Sequence, residues 1–202
     1  MKPKRLKRAF FARDTLTVAR ELLGKFLVRK IGKKEIAVMI TETEAYCGPK
    51  DLASHASGGL TPRTKVMFGP AGHTYIYLIY GMYHCLNIVT ERDGYPAAVL
   101  IRGTKPVPTG QYLISGKNSK PTTSNQKLVT SLDGPGKLCR FLKIDKSLNR
   151  TDLVVSKKLW LEDRGIKIKP NQIKRTPRIG VDYAGVYKDK LWRFVLKDFR
   201  SL

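Results

Sequence analysis

Two carboxylates lie close together at the end of an apolar segment, in the order Glu42-Thr43-Glu44-Ala45-Tyr46. If residues 36–44 form a strand, side-chain alternation places Glu42, Glu44 and Tyr46 on one face. Acidic residues are scarce in this chain, with 16 Asp and Glu against 39 Lys and Arg. The pair therefore either forms salt bridges with the abundant cations or includes a general base in a basic cleft. The residues alone leave both interpretations open.

Two other polar side chains stand within or beside apolar segments. Arg102 follows the apolar residues 97–101, and a buried arginine needs a carboxylate partner such as Glu42 or Glu44. It could form a plain ion pair, orient a water molecule or bind phosphate. Asn87 could satisfy hydrogen bonds within a core or read the edge of a base.

Aromatic rings are concentrated in residues 75–83, which hold four of the nine tyrosines of the chain. The formal net charge is +23, because 39 basic residues face 16 acidic ones. Charge attracts a phosphate backbone and aromatic rings stack on bases, so this combination favours nucleic-acid binding. Tyrosine is also an ordinary residue of half-buried strands. The cluster alone does not separate base stacking from strand packing.

The histidines and cysteines do not form a metal-ligand pattern. Three of each are spread along the chain: Cys47, His55, His73, His84, Cys85 and Cys139. We predict no metal ion, no cofactor and no disulfide framework. His55 lies in a long loop, and a lone histidine is more often a satisfied polar residue than a functional one.

Two short basic segments could contact phosphates. Arg63 lies in Thr61-Pro62-Arg63-Thr64-Lys65, and Lys137 follows Gly134-Pro135-Gly136 at the expected start of a helix. Backbone N–H groups at a helix N-terminus and a lysine can together bind an anion. The second segment is not a Walker A motif, because the spacer and the following Ser or Thr are missing.

The excess of basic residues indicates a polyanionic partner, which would offset the self-repulsion of the fold. No apolar run approaches the ~20 residues of a membrane-spanning helix, so a membrane role is disfavoured. The basic N-terminus is not followed by the apolar stretch of a signal peptide. We therefore expect a cytoplasmic protein, associated with the nucleoid in a bacterium or nuclear in a eukaryote.

Periodicity and turn residues predict a single-domain α+β fold. Asp14 is placed to cap a helix that runs to Leu23, and Gly24 to end it. A hairpin follows, then a long ordered loop over residues 47–72 and an antiparallel meander over 74–101. A second helix near residue 135 and strands near 159–161 and 191–196 complete the fold. We expect an antiparallel or mixed curved β-sheet, like an open barrel, with flanking helices.

The domain boundaries follow from composition. Residues 1–12 are predicted to form a basic N-terminal arm, of which residues 2–8 are solvated, and residues 13–202 a single domain. Residues 116–127 are polar and poor in apolar side chains, which is typical of a flexible loop.

Taken together in order, these segments resemble the alkyladenine (3-methyladenine) DNA glycosylase family, from about residue 13 to the C-terminal strand. The matching segments are residues 19–24, 42–46, 48–49, 55, 61–63, 67–68, 75–83, 87–88, 99–102, 134–139 and 178–181. Each segment is weak by itself, whereas their shared order and spacing are specific. The resemblance implies a monofunctional base-excision enzyme, without lyase activity, that acts on damaged purines in double-stranded DNA.

The resemblance also implies residue roles in the reaction. Glu44 matches the general base, which would deprotonate a water that attacks C1′ of the target nucleotide. Arg102 matches the arginine that helps to position this water.

Because one site facing a duplex needs only one chain, we expect a monomer.

The same resemblance assigns residues that handle the base. Tyr46, His55 and Tyr77 match the residues that sandwich the flipped base, and Tyr80 matches the side chain that enters the duplex in its place. Asn87 matches an asparagine that crowds the exocyclic amino group of normal guanine. We interpret Tyr75 and Tyr83 as packing residues, and we expect Arg63, Lys137 and Arg178 to contact the DNA backbone.

Two other functions compete with this interpretation. A non-catalytic nucleic-acid-binding module would account for the charge and the tyrosines, but not for an acidic strand end with a downstream arginine. A carbohydrate-active hydrolase would use Glu42 and Glu44 as paired carboxylates. The large positive charge makes a neutral sugar polymer an unsuitable substrate for this chain.

Overall fold

The centre of the fold is a large antiparallel sheet. A computed structural model describes residues 2–106 and 132–197, and the predicted loop at 116–127 lies outside them. Within this part of the chain there are ten strands: β1 (Lys4–Arg5), β2 (Phe26–Ile31), β3 (Lys34–Tyr46), β4 (Thr74–Ile79), β5 (Tyr83–Val89), β6 (Ala98–Pro106), β7 (Leu132–Asp133), β8 (Leu159–Asp163), β9 (Ile173–Thr176) and β10 (Arg193–Leu196). Seven of them follow the order β1-β8-β2-β3-β6-β5-β4, while β10 pairs with β3 and β9, and β7 pairs with β6. Within the described residues the sheet is not closed into a barrel.

The long strand β3 organises the sheet. Its first half pairs with β2 and its last residues pair with β10, while β6 lies along its other side. Strands β4, β5 and β6 form the predicted antiparallel meander, with β5 in the middle. The hairpin of β2 and β3 closes between Ile31 and Lys34, also as predicted.

In the described ranges, three α-helices pack near the sheet: α1 (Arg8–Phe11), α2 (Thr15–Glu21) and α3 (Pro135–Phe141). The Asp14 side chain accepts a hydrogen bond from the N–H of Thr17, which confirms the predicted N-cap of α2. The Thr43 hydroxyl donates to the carbonyl of Ala19 over 2.8 Å. This bond attaches α2 to the face of β3 opposite to Glu44, so the helix buries one face of the strand and leaves the other for the site.

The prediction of a solvated N-terminal arm is wrong. Strand β1 pairs with β8, and the side chain of Leu6 is buried beside it. Phe11 is entirely buried in the main core. Arg5 donates to the carbonyl of Leu153 through both Nε and Nη2. These contacts make the segment part of the fold, because a sheet edge and a core contact outweigh its charge.

A β-bulge interrupts the pairing of β3 with β6 next to the carboxylates. The register shifts on either side of Glu42, which faces Gly103, whereas Thr43 already faces Ile101. A Cβ atom on Gly103 would lie 2.9 Å from the Cβ of Glu42, so this position needs glycine. Bulges re-aim side chains, and here the irregularity lies beside Arg102.

Candidate active site

Side-chain alternation brings the predicted site residues onto one face of the sheet. A row of directly paired residues crosses five strands at this face: Tyr75, Asn87, Leu100, Glu44 and Arg193. Neighbouring strand positions of the same parity add Tyr46, Tyr77 and Arg102 to this face. Residues from β3, β4, β5, β6 and β10 therefore converge on Glu44.

Glu44 is completely buried at the centre of this row. Its Oε1 accepts a hydrogen bond from the backbone N–H of Ile179 at 3.0 Å, and its Oε2 accepts one from the Tyr46 hydroxyl at 3.0 Å. Burial raises the pKa of the Glu44 carboxyl above its usual value, although Arg102 and the two hydrogen bonds oppose the shift. A buried carboxylate of raised pKa is what a general base requires near neutral pH.

Glu42 occupies a different environment from Glu44. Its Oε1 lies 2.9 Å from Nε of Arg102 and 2.5 Å from Nε of Arg193. The same two nitrogens are 3.6 Å and 4.0 Å from Oε1 of Glu44. Glu42 therefore takes the closer ion pairs with both arginines, and Glu44 is left with the weaker ones.

The guanidinium of Arg178 packs against the ring of Tyr46. The guanidinium carbon lies 4.8 Å from the centroid of this ring, within cation–π range. Burial is the largest cause that raises the pKa of Tyr46 well above its usual value, so its hydroxyl stays protonated and can donate to Glu44.

Arg178 does not meet the expectation of a DNA-backbone contact. Its side chain is fully buried and forms a bidentate salt bridge with Asp51, with distances of 2.6 and 2.8 Å. Nη1 also donates to the carbonyl of Ala45, and Nη2 to that of Tyr187. A phosphate cannot reach a guanidinium that is enclosed in this way, so this prediction is wrong.

His55 reaches the site from a short 3₁₀ helix, His55–Gly58, within the long ordered loop. Its ring lies 4.6 Å from the ring of Tyr77 in an edge-on arrangement, and its Nδ1 is 2.8 Å from the hydroxyl of Tyr75. Burial and the nearby Arg63 lower the pKa of His55 to about 4. The imidazole is therefore neutral at pH 7. The guanidinium of exposed Arg63 lies 5.1 Å from the ring centroid of Tyr77.

Asn87 lies buried in the floor of the site. Its Nδ2 donates to the carbonyl of Tyr75 at 3.1 Å, which fixes the plane of the amide. The thiol of Cys85 contacts the Tyr77 hydroxyl, and burial together with Cys85 raises the pKa of that tyrosine. The polar atoms beneath the aromatic rings are thus held by neighbours on β4 and β5.

Tyr80 lies apart from this cluster, at the tip of the hairpin between β4 and β5. It is 82% exposed and has a positive φ of 51°, followed by Gly81 at 67°. Two successive positive φ angles are typical of a tight hairpin turn, in which a tyrosine is uncommon. Next to the turn of the same hairpin, Tyr83 packs against Gly136 of α3, which places exposed Lys137 on this side of the molecule.

Sequence reasoning missed three contributors to the site. The sequence pattern places Arg193 only in a strand, and the N–H of Ile179 carries no sequence signal because it is a backbone group. Tyr75 packs in the interior, as expected for a strand tyrosine, but its hydroxyl also contacts His55. The one available signal was the basic residue within the last apolar strand, since a buried arginine needs an acidic partner.

The arrangement combines a buried carboxylate, two arginines and a cluster of aromatic rings. Among the residues that the structure describes, no group of three or more His, Cys, Asp or Glu side chains is placed to bind a metal ion. No helix in the described ranges is long and apolar enough to cross a membrane. The side chains present support proton abstraction from a water beside a stacked aromatic ligand.

The chain is similar to known proteins along nearly its whole length. The sequence model of a family described as methylpurine-DNA glycosylase matches residues 9–200. A protein from Methanocella arvoryzae, provisionally named 3-methyladenine DNA glycosylase, is 50% identical over 193 residues, covering 96% of this chain and 92% of its own. Proteins of the same provisional name from Desulfitobacterium hafniense and Legionella pneumophila strain Lens are 44% and 46% identical, each match covering 96% of both chains.

Proposed function

Because the chain belongs to the methylpurine-DNA glycosylase family, we propose that it flips a damaged purine out of duplex DNA and hydrolyses the N-glycosidic bond with a water activated by Glu44. Family membership makes the chain a DNA glycosylase, a hydrolase of N-glycosyl bonds that acts in DNA repair. The flipping step, the role of Glu44 and the class of damaged purine are the proposal.

The observation that carries the proposal is the position of Glu44. It is a wholly buried carboxylate of raised pKa, surrounded by aromatic and cationic side chains on one sheet face. An ionised Glu44 would take a proton from water as the water attacks C1′. Before that proton is fully transferred, the negative charge of the carboxylate would stabilise the oxocarbenium-like sugar of the transition state. Glu42 is less suitable as the base, because it is occupied by Arg102 and Arg193.

The cluster of aromatic rings suits an alkylated purine. Methylation at N3 or N7 makes the purine cationic, and rings such as those of Tyr46 and Tyr77 attract a cation through their faces. His55 is neutral near pH 7, so it would not repel this charge. The amide of Asn87, held against the Tyr75 carbonyl, would crowd the amino group of normal guanine.

Extrusion of the nucleotide needs a group that replaces it in the stack. Unstacking costs a few kcal/mol, roughly, and least for damaged or mispaired bases. Tyr80 is the ring that its exposure and its place at a hairpin tip make available as a wedge. Arg63 and Lys137 are exposed and suit contacts with the phosphates on either side.

One assay tests the proposal directly. The protein is incubated with a duplex that contains one hypoxanthine, and strand cleavage at abasic sites is measured after alkali treatment. We expect release by the wild-type chain, and loss of release with retained DNA binding for Glu44→Gln. Equal release by this variant would refute the assignment of the base, and release of none of hypoxanthine, 3-methyladenine or 7-methylguanine by the wild type would refute the proposed substrate class.

A further inference from the structure

We infer that the buried pair of Asp51 and Arg178 is a positioning device, which holds the general base, the Tyr46 ring and the His55 loop in their reacting geometry. The inference rests on the proposed function of Glu44. It gives Arg178 a role inside the protein in place of the DNA contact that the sequence predicted.

Asp51 anchors the loop that carries His55. Its Oδ2 accepts a hydrogen bond from the N–H of Cys47 at 3.0 Å, and its Oδ1 accepts one from the N–H of Ala53 at 3.1 Å. Its carbonyl accepts a further bond from the N–H of Ser54, the N-cap of the 3₁₀ helix that begins at His55. The position of the His55 ring therefore depends on where Asp51 is held.

Arg178 connects this loop to the other two segments of the site. Nη1 donates to the carbonyl of Ala45, which lies between Glu44 and Tyr46, while the guanidinium packs on the Tyr46 ring. The next residue, Ile179, donates its N–H to Oε1 of Glu44. One side chain thus touches the strand end, the loop and the segment that hydrogen-bonds the base.

Stability alone does not require this arrangement. A buried ion pair pays a desolvation cost and is often replaceable by apolar residues without loss of stability. The planar guanidinium offers donors in fixed directions, which an apolar side chain cannot do. Both carboxylate oxygens of Asp51 and the backbone carbonyls of Ala45 and Tyr187 use those directions, which is what positioning demands.

The test compares Asp51→Asn with Glu162→Gln. Glu162 pairs with Arg164, and their side chains are 10% and 4% exposed in β8 and just after it, so the control removes a similarly enclosed charge pair at the far side of the sheet. In single-turnover release of hypoxanthine, we expect Asp51→Asn to slow the chemical step about 10- to 100-fold, since small misplacements of reacting groups have such effects. DNA affinity should change little. Glu162→Gln should keep the wild-type rate.

The pH dependence supplies a readout that a merely structural role would not move. The groups that face Glu44 are Glu42 and Tyr46 on its own strand, Arg102 on β6, Arg193 on β10 and Cys85 on β5. None of them is changed in Asp51→Asn. Loss of the Ile179 hydrogen bond would raise the pKa of Glu44 and move the acidic limb of the rate profile to higher pH. Removal of the negative charge of Asp51 would, by itself, lower the pKa of Glu44 and move the acidic limb to lower pH.

Arg178→Lys is the second variant, because it keeps the positive charge but loses the planar guanidinium with its donors in fixed directions. We expect it to reproduce the slower step and the shifted acidic limb, and not to restore the wild-type rate. The inference is overturned if folded Asp51→Asn or folded Arg178→Lys retains the wild-type rate and pH profile, or if Glu162→Gln loses activity to the same extent. A wild-type chain without base release would instead refute the proposed function.

Discussion

Arg193 lies directly opposite Glu44 in the ladder between β10 and β3, yet its Nε contacts Glu42 at 2.5 Å and stays 4.0 Å from Glu44. Arg102 is likewise closer to Glu42, because its Nε lies 2.9 Å from Oε1 of Glu42 and 3.6 Å from Oε1 of Glu44. Glu42 therefore draws two arginines away from its neighbour. This division of charge leaves Glu44 more basic than a carboxylate that is fully paired with arginine.

The first prediction concerns Glu42→Gln. Without the charge of Glu42, both arginines should move toward Glu44, which lowers the pKa of Glu44. The loss of the nearby negative charge of Glu42 also lowers this pKa. The pKa of Glu44 should fall, so the acidic limb of the rate profile should move to lower pH. The maximal rate should decrease, because a less basic carboxylate abstracts a proton less readily. Single-turnover rates of hypoxanthine release from about pH 4 to 9 measure both effects. An acidic limb that moves upward would contradict the division of charge.

The second prediction is that Glu44→Gln is more stable than the wild type at pH 7. Burial raises the pKa of Glu44 in the folded state, so the folded state binds the proton more tightly than the unfolded state. The free energy of unfolding therefore decreases as pH rises from the ordinary carboxyl value through the raised one. We expect a higher melting temperature for the variant at pH 7 and a smaller difference near pH 4. Activity should fall by about 10²- to 10⁴-fold, as for loss of a general base. A variant that is less stable at pH 7 would contradict this expectation.

The third prediction concerns His55. Its lowered pKa makes the free energy of unfolding increase with pH, whereas the raised pKa of Glu44 makes it decrease. Its pKa is lowered to about 4 in the folded chain, from 6.5. The unfolded state therefore binds more protons between these values, and His55 reduces the free energy of unfolding as pH falls through this window. His55→Gln should remove this part of the pH dependence. Denaturant titrations at pH 7, 6, 5 and 4 for both proteins measure it. An imidazole carbon signal that titrates near pH 6.5 would show that the ring is not enclosed as described.

The fourth prediction is that Tyr80→Ala loses activity without losing stability. The side chain is 82% exposed, so the free energy of unfolding should change by less than about 0.5 kcal/mol. If the ring replaces the extruded base, release should decrease more for a well-paired lesion than for a mispaired one. Tyr80→Phe is the matched control, and it should keep most of the activity because it retains the ring. An equal loss on both duplexes would argue against a wedge.

The fifth prediction separates the exposed cations Arg63 and Lys137 from the buried Arg178. Arg63→Gln and Lys137→Gln should each reduce the slope of log K against log salt concentration by about 0.9, the value expected for one phosphate contact to duplex DNA. Asp51→Asn, in which the partner of the enclosed Arg178 is altered, should keep the wild-type slope. Binding of a duplex with an abasic-site analogue between 50 and 200 mM salt provides the comparison. Unchanged slopes for both surface variants would indicate that neither Arg63 nor Lys137 contacts a DNA phosphate.

Much of the fold follows from local pattern. Asp14 caps a helix because its carboxylate reaches an N–H three residues later, and Ile31 and Lys34 close a hairpin because the turn between them is short. The same-face placement of Glu42 and Glu44 follows from the period of a strand, and both do reach Arg102. Such features depend on neighbours in sequence, so the residue order is sufficient to predict them.

Long-range pairing decided the remainder. The ladder that brings Arg193 to the carboxylates joins residues about 150 positions apart, and Arg178 is 127 positions from its partner Asp51. Whether an arginine meets a phosphate or a buried aspartate depends on which segments pack around it. The N-terminal segment illustrates the same point, because Lys4 and Arg5 are basic in sequence but become a strand once β8 presents a free edge. The sequence by itself determined the family, the strand periods and the chemical types of the site residues. Only the tertiary structure decided which charges are buried against each other, because desolvation and ion pairing depend on contacts between segments that are distant along the chain.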